Sequence, residues 1–276
     1  MSSEPVEEYQ EAFARIEAEV DRGNTDLGDL GFWRLVRQVK VDPRLAEHWA
    51  DVVGRIDQKA FRARVRPLFP VWLGNSILLL ASAVLIVALF VAIGLGRDSV
   101  GAGEELLPGL IAVAAAGGLS VNLHDLAHWI IGRMVGIRFT SYFLKKPTLT
   151  PGLKIDYASY LRTPPGARAW MHASGAIVSK IAPFAVFVAV YLPHRAAGYD
   201  LFPSWSLWVI LGIGVVQIIT DILFSTKKSD WKRFRRERRV ARSMESILGD
   251  RLVFTERGAR ADRAERPDRS AGDPRT

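Results

Sequence analysis

The most chemically pointed stretch of this chain is His124-Asp125-Leu126-Ala127-His128. On a helix, residues i and i+4 share one face, so the two imidazoles can bind a single metal ion. In H-E-x-x-H sites the carboxylate between the histidines acts as general base on a water that the metal activates. Here that carboxylate belongs to Asp125 and is one methylene shorter. A catalytic zinc site takes three protein ligands and keeps one position open. The third donor must therefore come from elsewhere in the chain, and Asp221 is the leading candidate.

These residues lie in a chain with long uncharged runs. No Asp, Glu, Lys or Arg occurs between Arg66 and Arg97, between Glu105 and Asp125, or between Asp200 and Asp221; between Arg168 and Arg195 there is only Lys180. A spanning helix needs about 20 mostly apolar residues to cross a hydrocarbon core of about 30 Å. Four spans follow, near 70–95, 106–136, 169–192 and 206–225. Trp72, Trp170, Trp205 and Trp208 fall near their ends, as interfacial aromatics do. Asp221 is the only acid in the fourth span.

Lys and Arg concentrate before the first span, after the second and after the fourth, whereas the other two connections hold only Arg97 and Arg195. Cytoplasmic loops are enriched in such residues, so both termini are expected in the cytoplasm of a multi-pass cell-membrane protein. The second and fourth spans then run inward. His124 lies about 18 residues along one and Asp221 about 15 along the other, so both sit roughly 22–27 Å below the outer surface. Two independent runs of sequence thus bring a histidine pair and an acid to one depth.

The flanks read differently. Residues 1–66 form a small cytoplasmic helical region, with amphipathic helices over 5–23 and 43–65 and a break from Asn24 to Gly31. Leu45, Trp49, Val52, Val53, Ile56 and Phe61 recur at helical spacing, and Asp42-Pro43 suits a helix start. This acidic, polar opening excludes a cleaved signal peptide. Residues 67–226 form the transmembrane domain. Residues 227–276 form a basic juxtamembrane segment suited to anionic lipid, followed after Gly258 by a tail expected to be disordered. The net charge of +8 gathers largely there, which makes lipid a simpler partner than nucleic acid. The absence of cysteine excludes disulfides and thiolate metal sites. The fold class is an all-α membrane protein, a four-helix transmembrane bundle with a helical N-terminal region and a disordered basic tail.

The run from Asn122 to Phe139, NLHDLAHWIIGRMVGIRF, resembles the site-2 protease family of intramembrane zinc metalloproteases. Gly132 fills the small position one turn after the second histidine, and Arg133 and Gly136 continue a similar helix end. Ala173-Ser174-Gly175-Ala176 looks like the family's small-residue element, and Asp221 stands where the family supplies a ligating aspartate. The likeness covers roughly residues 106–235. The chain departs from the family in having Asp125 for the usual Glu, Thr220-Asp221-Ile222-Leu223 for the usual L-D-G, and no Asn-Pro before it.

The resemblance implies one Zn2+ per chain on His124, His128 and Asp221, Asp125 as general base, and cleavage of a membrane-protein substrate near the cytoplasmic face. A substrate helix must unwind before its carbonyls can react. Residues 139–161, broken at Pro147, Pro151 and Gly152, are expected to form short strands that could pair with it; an ordinary loop is the alternative. His172 could donate to an oxyanion or be merely interfacial. Gln217 could support the ligands or make an interhelical hydrogen bond. Lys180 is unfavourable in a membrane unless paired, with Asp221 or Asp125 as its partner. The alternatives are a metal-binding scaffold without catalysis, and an ion or proton transporter using Asp125, Asp221 and Lys180. Five histidines in total are too few for a membrane di-iron oxidase. The oligomeric state stays open.

Overall fold

The structure is a computed structural model that describes residues 4–98, 106–145, 150–198, 200–223 and 229–245. The tail after Gly258 lies outside these residues. Among them, four helices are long and apolar enough to cross a membrane: α4 (Val71–Asp98), α5 (Leu106–Met134), α7 (Pro165–Ala197) and α8 (Ser204–Leu223). Together they make the expected all-α membrane bundle. Trp72, Leu80, Val87 and Phe90 of α4 point outward, as side chains in contact with lipid do. Ala112, Ala115, Ala116 and Ala182 are buried between the helices, and residues this small let backbones approach closely in a membrane. The third span begins at Pro165, four residues before the expected 169, because proline is favourable in the first helical turn.

The N-terminal region is a three-helix cap of α1 (Glu4–Asp21), α2 (Phe32–Val39) and α3 (Pro43–Arg64). Asp42 caps α3, its Oδ1 accepting from the Arg44 amide at 2.8 Å, and Pro43 opens the first turn. Phe13, Phe32, Trp49, Val53 and Ile56 form the cap core. Each such side chain contributes about 1.5–3 kcal/mol on burial. The surface ion pair from Glu17 to Arg55, 2.8 Å, adds about 0.2–1 kcal/mol at most. Packing therefore holds the cap together. The short helix α2 is an element that the hydrophobic spacing of 5–23 and 43–65 does not announce.

A three-stranded antiparallel sheet joins cap to bundle. Its order is β1 (Leu68–Phe69), β2 (Phe139–Lys145), β3 (Thr150–Ile155). The expected strands within 139–161 are present, but the end of that stretch becomes a short helix, α6 (Tyr157–Arg162), capped by Asp156. α5 ends in a left-handed turn at Gly136, φ 90°. There the Ile137 amide reaches the Gly132 carbonyl at 2.8 Å and the Gly136 amide reaches Arg133 at 3.2 Å, the paired bonds that close a helix on glycine. The chain thus turns directly from the histidine helix into β2.

The two faces of the sheet have different partners. Tyr142 and Leu153 pack with Leu78, Leu123 and Leu126 of α4 and α5. On the other face Phe143 meets Phe61 edge-on at 5.0 Å, and Lys154 reaches Asp57 of α3 at 2.5 Å. A last helix over 230–245, α9, follows the fourth span. Its Phe234 packs on Trp170 of α7 at 5.6 Å between ring centroids.

The Asp57–Lys154 pair ties the cap to the sheet. Burial pushes the Asp57 carboxyl up and Lys154 draws it back. Removing one member of a buried pair costs about 3–5 kcal/mol, because its partner stays buried and charged. Asp57→Ala is expected to lower the unfolding free energy of the detergent-solubilised chain by that order, followed by tryptophan fluorescence. Asp57→Asn combined with Lys154→Met, which removes both charges, is expected to recover most of the loss.

Candidate metal centre

His124 and His128 stand one turn apart on α5, their rings edge to face at 4.7 Å and 88°. α7 orients both. His128 Nδ1 lies 2.7 Å from the Met171 carbonyl oxygen, and a carbonyl can only accept. Nδ1 therefore carries the proton, and in the neutral ring Nε2 is a bare lone pair. His124 hydrogen-bonds the backbone of Gly175, also on α7. A main-chain bond on the far side of the ring is how metal-ligating histidines are usually oriented.

The third member is Asp230, at the start of α9. Its Oδ2 lies 3.2 Å from His124 Nε2 and 3.3 Å from His128 Nε2. The three ligand atoms lie within 4.8 Å of one another. For a tetrahedral ion with bonds of about 2.0–2.1 Å, ligand atoms are about 3.3 Å apart. The two imidazole–carboxylate separations match that edge. Burial alone would raise the Asp230 carboxyl, but the two imidazoles outweigh it and hold the group well below the usual carboxylate range. The donor set, two imidazoles and one carboxylate oxygen, is one that zinc accepts.

Asp221 does not join this group. Its carboxylate pairs with Lys180 of α7, whose Nζ also donates to the Ala176 carbonyl at 3.0 Å. Matching depth brought Asp221 to the right cavity, but Lys180 at the same depth takes up its charge. Asp230, nine residues later, supplies the carboxylate instead. Nothing in the spacing of the basic segment marks Asp230 as a ligand. Its only visible signal is that Asp230 and Glu237 are the first acids after Asp221 in a run of bases.

The site opens into a cavity of about 720 Å³. Asp125, His172, Lys180, Gln217 and Asp221 all line it, together with Leu153 and Ile155 of β3. Asp125 is buried, and its charge reaches the Tyr142 hydroxyl. Burial raises that hydroxyl first and Asp125 raises it further. Gln217 sits on the cavity wall one turn before Asp221. His172 Nε2 lies 2.9 Å from the Tyr160 hydroxyl, which itself donates to Glu237 Oε1 at 2.9 Å. The hydroxyl has one proton and spends it on the carboxylate, so His172 Nε2–H must be the donor to Tyr160. That N–H is therefore committed to Tyr160 and does not serve an oxyanion.

Gly175 faces the His128 ring, and a Cβ there would stand 2.4 Å from Nε2. Alanine exceeds glycine in helix propensity by about 1 kcal/mol, so propensity alone predicts that Gly175→Ala stabilises α7. Overpacking costs about 1–3 kcal/mol and is expected to win, giving a lower thermal midpoint and a displaced His128 ring by histidine-selective NMR. The chain matches no model of a known protein family, no curated protein and no solved structure.

Proposed function

We propose that this protein is a zinc-dependent intramembrane peptidase that cleaves membrane-protein chains near the cytoplasmic face. The observation that carries this reading is the spacing of His124, His128 and Asp230 around one point, 3.2 and 3.3 Å between imidazole nitrogens and the shared carboxylate oxygen. One zinc ion per chain would be held by those three residues. When bound, it would supply Lewis acidity to a scissile carbonyl and to a water.

The chain's own residues account for the remaining roles. The Met171 carbonyl and the Gly175 backbone fix the two imidazoles. Asp125, between them in sequence and on the cavity wall, takes a proton from the attacking water at a carboxylate oxygen and returns it to the leaving amine. Lys180 neutralises Asp221. β3 pairs with β2 on one side, and no strand among the described residues lies on its other side. Its Pro151, Leu153 and Ile155 face the cavity, so an unwound substrate could add to that edge as a strand. The exposed arginines of α9 would meet anionic headgroups where the helix leaves the membrane.

Metal analysis of the purified chain is the first test. Wild type is expected to carry about one zinc per chain. His124→Ala and Asp230→Ala should lose it, whereas Asp221→Ala should keep it. A wild type without metal, or loss on Asp221→Ala alone, would overturn the assignment. Asp125→Asn is expected to retain zinc and to lower cleavage of a membrane-protein substrate by about 10²–10⁴-fold, the usual contribution of a general base. Unchanged cleavage would remove Asp125 from that role.

A further inference from the structure

Asp230 reaches the histidine pair from a helix outside the four spans, and something must set the position of that helix. Seven residues along α9 from Asp230 is Glu237, 2 % exposed. Seven residues are two turns, about 10.5 Å, and return to the same helix face. Glu237 Oε1 accepts from the Tyr160 hydroxyl of α6 at 2.9 Å and from Lys40 Nζ at the end of α2. Glu237 Oε2 lies 3.1 Å from Arg168 Nε of α7; its angle falls outside hydrogen-bond geometry, so this contact is an ion pair. Arg168 is 1 % exposed and Lys40 8 %. The two cations also lie over the Tyr160 ring, Lys40 Nζ at 4.8 Å and Arg168 Cζ at 5.2 Å.

One carboxylate thus serves two buried cations and a buried hydroxyl from three separate elements. Without Glu237 two positive charges would remain in the interior, which is strongly unfavourable. Burial draws Lys40 down to about 8 although Glu237 pulls the other way. Burial and the nearby carboxylate both hold the Tyr160 hydroxyl protonated and donating. The contact with Lys40 joins residues 197 apart in sequence.

We propose that Glu237 is a positioning residue for the metal centre: held by Lys40, Tyr160 and Arg168, it docks α9 so that Asp230 closes on His124 and His128, and the N-terminal cap thereby sets the metal affinity of a site inside the membrane bundle. This inference rests on the metal reading above. It makes the cap the regulatory element of the same site. Whatever displaces α2 would loosen Glu237, withdraw Asp230 and leave two ligands where there were three.

The test uses the full chain in detergent with Zn2+ and Co2+ as probes. Lys40→Met is the first variant, because it leaves Arg168 and Tyr160 on Glu237. Glu237→Gln is the second, since it keeps the Tyr160 hydrogen bond and removes the charge. Each is expected to weaken Zn2+ affinity about 10–100-fold, the usual effect of losing support behind a ligand. Each should also shift the visible Co2+ bands toward those of Asp230→Ala, a signature that mere loss of stability would not produce. Independently of metal, trypsin should cut faster at the exposed Arg235, Arg236, Arg238 and Arg239 of α9 in both variants but not in His124→Ala. Wild type that binds neither metal would overturn the metal reading and this inference with it. Wild type that binds, with variants equal to it in affinity, Co2+ spectrum and trypsin protection, would overturn this inference alone.

Discussion

The Asp230 carboxylate oxygen lies 3.2 Å from one imidazole nitrogen and 3.3 Å from another, and an acceptor that close needs a proton or a cation on the nitrogen side. His128 has its Nδ1 proton committed to the Met171 carbonyl, so its Nε2 can satisfy Asp230 only by taking a second proton or by sharing a cation. The rest of the structure arranges that meeting. α5 presents both rings, α7 turns them with main-chain carbonyls, and α9 brings the acid. Half-buried acceptors facing one another are unfavourable when unsatisfied, and the three together form a group that could hold a metal ion.

The layers outside the bundle serve the same point. The sheet lies between cap and membrane helices, with Tyr142 and Leu153 on the α4–α5 side and Phe143 and Lys154 on the α3 side. The chain enters it straight from the histidine helix through the Gly136 turn. Arg162 of α6 pairs with Glu47 and Asp51 of the cap, and Leu161 joins the cap core. Tyr160, next in line on α6, reaches the other way, to His172 and Glu237. One turn of α6 therefore touches the cap, α7 and α9, which connects the cap to the membrane bundle.

What could be read from the sequence follows from which constraints are local. The spans are visible because a bilayer requires long uncharged runs wherever the chain crosses it. The histidine pair is visible because i and i+4 share a face in any helix. Asp42 and Pro43 mark the start of α3 for the same local reason. Asp230 is not visible, because its place depends on Glu237 meeting Lys40, Tyr160 and Arg168, all distant in sequence. Depth points to Asp221, and depth is informative, since Asp221 lines the same cavity. Depth alone does not say which of two nearby groups, Lys180 or the imidazoles, a carboxylate will take. β1 and α2 escape notice because two strand residues and eight helical ones are too few to show a period.

The charges on the cavity wall bear on the readings that share these residues. Asp125, Asp221 and Asp230 are there as acids, and Lys180 and Arg233 as bases. A transporter built on Asp221 and Lys180 would need at least one of them free to change partner. They are instead engaged with each other, and Lys180 is further held by the Ala176 carbonyl. With that pair closed, the other acids on the wall are Asp125, next to His124 in sequence, and Asp230, within 3.3 Å of both imidazoles, and Arg233 lines the wall with them. The Lys180–Asp221 pair thus engages a carboxylate that would otherwise compete with Asp230 for the histidine pair.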